Sequence, residues 1–123
     1  MSQENVEIVR SMYAAYGELA QGAQGSEIVS YVTEYYDPEC EYQPVEERDA
    51  IHGHDAFIHW NERWLAAWTY YWDEIDEIID AGEMVVAAVR VHGRGRKSGM
   101  EISQRLFHVI ELRGGKISHM REY

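Results

Sequence analysis

Cys40 is the only cysteine among the 123 residues, which excludes an internal disulfide and leaves no second thiol to complete a zinc knuckle. No run approaches the roughly 20 apolar residues that a membrane helix needs. Polar or acidic residues fill positions 2–5 ahead of Val6, so nothing marks export or membrane insertion. Together these absences point to a reducing cytoplasm. Basic side chains are scarce too: 11 Lys and Arg stand against 22 Asp and Glu, for a net charge of −11. Binding to nucleic acid rests on neutralising phosphates with Lys and Arg, and this balance argues against it. The deficit is uneven, with 19 acidic and 3 basic side chains in residues 1–89 and 3 acidic and 8 basic in residues 90–123. Strands from both halves lying side by side in one sheet would merge the two fields. What the chain does have is 46% apolar and 12% aromatic residues, enough for the core of one domain spanning residues 1–123.

Helical spacing of Val6, Val9, Tyr13 and Tyr16 predicts a first helix with Ser2 as its cap, stopped by the stretch from Gly22 to Gly25. Ser26 is expected to cap a second helix with Val29, Val32 and Tyr36 on one face, ended at Asp37-Pro38 because proline cannot continue it. Cys40 to Gln43 reads as a short strand, and Pro44 to Gly53 as a polar loop. His54 or Asp55 opens a third helix with Phe57, Trp60, Trp64 and Trp68 along one stripe. Beyond Tyr70 the period becomes strand-like: 72–80, 84–92, 100–113 and 116–123, with turns at Gly82, at Gly93 to Gly99 and at Gly114-Gly115. Helices first and a meander after predict an α+β fold, not alternating βαβ units.

Several segments carry a family resemblance. Glu7-Ile8-Val9-Arg10, Asp37-Pro38-Glu39-Cys40-Glu41-Tyr42 and Gly53-His54-Asp55-Ala56-Phe57 are similar to segments of SnoaL-like proteins in the nuclear transport factor 2-like superfamily. So are Ile79-Asp80-Ala81-Gly82-Glu83, Gln104-Arg105-Leu106-Phe107-His108-Val109, Arg113-Gly114-Gly115-Lys116-Ile117 and Met120-Arg121-Glu122-Tyr123. The resemblance implies a cone-shaped curved antiparallel sheet, a half barrel packed on N-terminal helices, and a homodimer joined through the sheet's outer face. It also implies an internal pocket for a small molecule and no cofactor. Its enzymes include ketosteroid isomerases, polyketide cyclases and epoxide hydrolases. The isomerase needs a carboxylate base at the end of strand one, a donor tyrosine and a protonated aspartic acid. Here Gln43 stands at the base position, and an amide cannot shuttle a proton. The tyrosine falls near Met12, beside Tyr13 and Tyr16, and the aspartate position holds His108, which excludes that reaction. Arg90 and Arg105 lack the paired aspartates of the epoxide hydrolase relay.

Alternation puts Leu106, His108, Ile110 and Leu112 on one face, which the resemblance turns toward the pocket. His108 becomes the candidate acid–base group, or else a neutral histidine held by one hydrogen bond. Met120 and Glu122 share the inward parity. Glu122 either orients His108 or pairs with Arg105 or Arg121 at the rim. Tyr13, Tyr16, Gln43, Trp60, Trp64 and Trp68 complete the candidate lining, able to stack a planar or polycyclic ligand, with ordinary core filling as the alternative. His52-Gly53-His54-Asp55, with His59 downstream, is the one metal-like cluster, but a site needs more ligands in fixed geometry, the turn before the third helix explains Gly53 and a cap explains Asp55, so no metal site is expected. Arg94, Arg96 and Lys97 read as a solvated hairpin tip or an anion-capturing one, and Cys40 as a buried apolar residue. Two functions follow: a small-molecule-binding protein with cofactor-independent acid–base chemistry, or a non-catalytic ligand-binding or dimerisation module. A cavity of roughly 300 Å³ or more favours the first and a closed core the second.

Overall fold

The computed structural model describes residues 2–22 and 25–123. Three helices, α1 (Ser2–Leu19), α2 (Gly25–Tyr35) and α3 (His54–Ala66), precede or interrupt the strands β1 (Tyr36–Gln43) and β2 (Ile51–His52). The long strands β3 (Trp68–Ala81), β4 (Met84–Gly95), β5 (Glu101–Arg113) and β6 (Lys116–Glu122) follow. They form one six-stranded sheet in the order β2-β1-β6-β5-β4-β3, with the helices against its inner face in a cone-like α+β arrangement. No helix among the described residues is long and apolar enough to cross a membrane.

The apolar periodicity accounts for this closure. Val9, Met12 and Tyr13 of α1 are buried against Val85, Ala87, Val89 and Val91, the inward residues of β4. Ile110 of β5 and Ile117 of β6 are fully buried in the same core. Gly114 and Gly115, at φ +58° and +80°, make the two-residue turn between β5 and β6, which only residues tolerating positive φ can form.

Several boundaries differ from the sequence reading. The sheet is mixed, because β1 runs parallel to β6. Nothing in a lone strand between helices specifies its partner, and here the pair joins the strand after α2 to the last strand of the chain. Helix α2 ends at Tyr35, ahead of Asp37-Pro38, and β1 starts at once, so Tyr36 is the strand's first residue. Ser26 stands inside the first turn of α2, and the Ser2 side chain and residues 23 and 24 lie outside the described residues. Gly53, at φ +87°, is the N-cap of α3, and no side chain caps that end. Asp55 sits instead in the first turn, where a negative charge favours the helix dipole. Residues 51 and 52, read as loop, form β2 by pairing with Tyr42 and Glu41.

Arg96 is neither free nor anion-seeking. Its backbone N–H donates to Ala67 O at 2.9 Å, and its guanidinium donates to Ala66 O at 3.1 Å and Trp68 O at 2.7 Å, closing the end of α3. Trp68 packs against the β4 backbone at Gly93. A Cβ there would stand 2.9 Å from the Trp68 ring and 3.3 Å from Tyr70 O. Gly93→Ala should therefore cost about 1–3 kcal/mol of stability, read as a lower urea midpoint; an unchanged midpoint would mean that Trp68 is free to move aside.

Candidate functional site

In the β5–β6 ladder His108 stands directly opposite Glu122. Opposed residues share a face at contact distance. His108 Nε2 lies 2.8 Å from Glu122 Oε2, and the two side chains are only 7% and 8% exposed. Glu122 also accepts from the Val45 N–H through Oε1 at 3.1 Å and from the Tyr42 hydroxyl through Oε2 at 3.3 Å. Burial alone would raise this carboxyl, but the hydrogen bond and charge of His108, aided by the Val45 and Tyr42 donors, outweigh it and hold Glu122 below its ordinary pKa.

An ionised carboxylate only accepts, so His108 Nε2 carries the proton and donates. In the neutral imidazole Nδ1 is then an acceptor, and the Tyr13 hydroxyl donates to it at 2.5 Å. Helix α1 places Tyr13 over β5 with its ring stacked on the imidazole at 9°. The result is one directed chain, Tyr13 O–H to His108 to Glu122. The rim pairings considered for Glu122 do not form: Arg105 Nε lies 3.8 Å from Asp76, and Arg121 points outward on the opposite parity.

This chain borders an internal cavity of about 80 Å³. At about 10–15 Å³ per water that is room for about five to eight waters, well below the roughly 300 Å³ of a drug-sized site. A polycyclic ligand does not fit this volume. Tyr13, Tyr16, Trp60, Trp64 and Met120 line the cavity. Gln43 and Trp68 do not. Inward Tyr42 forces its neighbour Gln43 outward, where its amide donates to Pro44 O and Glu47 O at 3.2 and 2.8 Å. Trp68 lies beyond the end of α3, so the helical stripe stops at Trp64, and its ring lines a separate groove with Leu19 and Arg96.

Several lining groups escaped the sequence reading, Asn61 and Asp73 among them. Asn61, buried on α3, accepts from the Tyr16 hydroxyl at 3.0 Å and donates to Phe57 O at 2.9 Å. Asp73 shares the inward parity of Tyr71 and Ile75 on β3, and its Oδ1 is buried without a hydrogen-bond partner. The only signal for it was an acid on the apolar parity of a strand, hidden among Glu74, Asp76, Glu77 and Asp80. Burial pushes the Asp73 carboxyl above its ordinary pKa, partly opposed by the His108 charge and the Tyr71 hydroxyl.

The histidines near α3 do not converge. His54 donates to Tyr36 O at 2.8 Å, His52 lies 3.7 Å from Glu39, and His59 lies 3.7 Å from Glu62. Among the described residues no three His, Cys, Asp or Glu are placed to share a metal ion. Cys40 is buried, and burial pushes its thiol up to about 11.

The model of the SnoaL-like domain matches residues 9–120. The chain belongs to the SnoaL-like family. Solved structures agree with the fold of this SnoaL-like domain. A candidate SnoaL-like polyketide cyclase from Jannaschia sp. CCS1 superposes with a TM-score of 0.81 at 19% identity, covering 98% of this chain and 85% of the other. A Catenulispora acidiphila DSM 44928 protein of ketosteroid isomerase-like fold, in complex with trimethylamine, gives 0.75 at 14%, covering 91% and 83%. TerC, co-crystallised with polyporic acid, gives 0.78 at 17%, covering 98% and 90%. No curated protein sequence matches the chain.

Asp73 ionises at a higher pH in the folded chain than in the unfolded one, so its charge opposes folding. That cost is absent below the unfolded pKa, grows as pH rises between the two values, and is complete above the folded one. Asp73→Asn should therefore raise the thermal midpoint at pH 7 and lose this advantage as pH falls into the acid range. A pH-independent difference would contradict the assignment. Tyr13→Phe leaves His108 Nδ1 buried without a donor and should cost about 1–3 kcal/mol in denaturant unfolding, with the imidazole remaining in the Nε2–H tautomer by ¹⁵N NMR.

Proposed function

We propose that this SnoaL-like domain binds a small molecule in its cavity and moves a proton to or from it through Tyr13 and His108, without a cofactor. The observation that carries this reading is the directed hydrogen-bond chain at the cavity wall. A base must be oriented and its charged form stabilised, and Glu122 does both for His108. A proton leaving the ligand passes to the Tyr13 oxygen as the Tyr13 proton moves to Nδ1. The imidazolium so formed faces the ionised Glu122. Reversal delivers the proton to a different atom, which is the elementary act of an isomerase, a cyclase or an acid–base hydrolase.

Relatives of the fold are consistent with a ligand here. One was solved with trimethylamine and another with polyporic acid. The active unit in this reading is one domain over residues 1–123, working in the cytoplasm as a homodimer. Trp72, Ile79 and Phe107, exposed on the outer face of the sheet, supply the apolar contact. A second reading, a non-catalytic binding or dimerisation module, draws support from the small cavity and from both imidazole nitrogens already being bonded.

Proton transfer can be tested before a reaction is known. The protein is incubated in D₂O with a panel of small carbonyl compounds, imines and amines, and exchange of ligand C–H is followed by NMR. At least one compound should exchange, and His108→Ala should slow it by about 100-fold or more. Glu122→Gln should slow it with little change in ligand affinity. Binding without any exchange above background would leave the non-catalytic module.

A further inference from the structure

The hydrogen bonds around the cavity leave it rich in acceptors and poor in donors. The Tyr13 hydroxyl gives its proton to His108, that of Tyr16 to Asn61 and that of Tyr42 to Glu122. The amide nitrogen of Asn61 is turned away to Phe57 O, and His108 Nε2 to Glu122. What these groups still present is oxygen lone pairs. To them Asp73 adds a buried carboxylate oxygen with no partner. Among the described residues, Glu46, Asp73 and Glu122 line the cavity and no Lys or Arg does. Against this acidic wall the only lining group able to carry positive charge is His108, which Glu122 already neutralises when it is protonated.

The remaining wall is aromatic, with rings set at right angles. Tyr71 meets Trp64 at 82° with centroids 5.6 Å apart, and Tyr16 at 90° and 6.5 Å. Rings in this arrangement form the corner of a box, where a cation meets more than one π system. A neutral apolar core would have no use for a buried carboxyl whose Oδ1 has no partner and whose side-chain donor is the Tyr71 hydroxyl, since burying an incompletely paired charge opposes folding. An anion would be repelled by Asp73. Resting on the reading of the cavity as a ligand site, we infer that the ligand is a small organic cation. Its ammonium head is held by Asp73, and its carbon substituents lie against Tyr16, Trp64 and Tyr71. The cavity of about 80 Å³ limits it to a small ligand.

The probe is tetramethylammonium chloride, titrated calorimetrically into the full chain in amine-free phosphate buffer at constant ionic strength. The neutral tert-butanol and the anionic pivalate serve as compounds of similar shape. The cation should bind at least about tenfold more tightly than either. Asp73→Asn should weaken the cation at least about tenfold and leave tert-butanol unchanged; its fold is checked by its thermal midpoint. Trp64→Leu should also weaken the cation, through loss of a ring face. Equal affinity for tert-butanol and the cation, or cation binding unaltered by Asp73→Asn, would overturn the ligand class while leaving the cavity a ligand site. A cavity that takes none of the three probes overturns the inference as well. The proton-transfer reading then stands or falls separately on the deuterium exchange and its dependence on His108.

Discussion

The cross-strand pairing of His108 with Glu122 is the constraint on which the interior of this domain depends. A carboxylate 8% exposed is tolerable only with charge-assisted donors around it, and those three donors come from three other parts of the chain. His108 belongs to β5, Glu122 to β6, Tyr42 to β1 and Val45 to the loop beyond it. Through His108 the network reaches Tyr13 and so fixes helix α1 over the sheet. One buried charge thus ties the first helix, the parallel β1–β6 pair and the loop after β1 to the same point. The turn at Gly114-Gly115 joins β5 to β6, and a one-residue register shift just beyond it, between Leu112 and Glu111, brings Glu122 opposite His108.

Asp73 shows the opposite use of a buried carboxylate. Glu122 has its donors supplied by the protein, and its pKa falls. Asp73 has an oxygen without a donor, and its pKa rises. Two acids in one cavity, driven in opposite directions by their surroundings, divide the interior into a satisfied side and an unsatisfied one. Unsatisfied buried charge disfavours the folded chain and favours whatever completes it, which is how a binding site trades stability for affinity. In the aromatic box beside Asp73 the Tyr71 hydroxyl serves the carboxyl, but Oδ1 is left without a partner.

Much of this was legible in the amino-acid sequence, for reasons that can be named. Helical spacing of Val6, Val9 and Tyr13 and the two-residue period of Leu106, His108 and Ile110 each reflect one buried face. Two glycines in succession specify a tight turn, but the register shift beyond it, which puts Glu122 and not Arg121 opposite His108, was not legible there. The lone cysteine, the scarcity of Lys and Arg, and the absence of a long apolar run bounded the classes of partner.

Other features were decided only by the tertiary structure. Local pattern cannot choose between a parallel and an antiparallel partner for β1, because that choice is made by contacts with β6, more than seventy residues further along the chain. The stripe through Trp60 and Trp64 did not reveal where helix α3 stops, so Trp68 fell outside the cavity and into a groove closed by Arg96. Periodicity placed Gln43 near the end of β1 but not on its outer face, since strand parity depends on which neighbour is buried. Asp73 was one acid among several on β3. Its isolation, like the preference of Glu122 for His108 over Arg105, depends on which donors surround a side chain after folding. Sequence determined which residues could face inward, and packing decided which of them met.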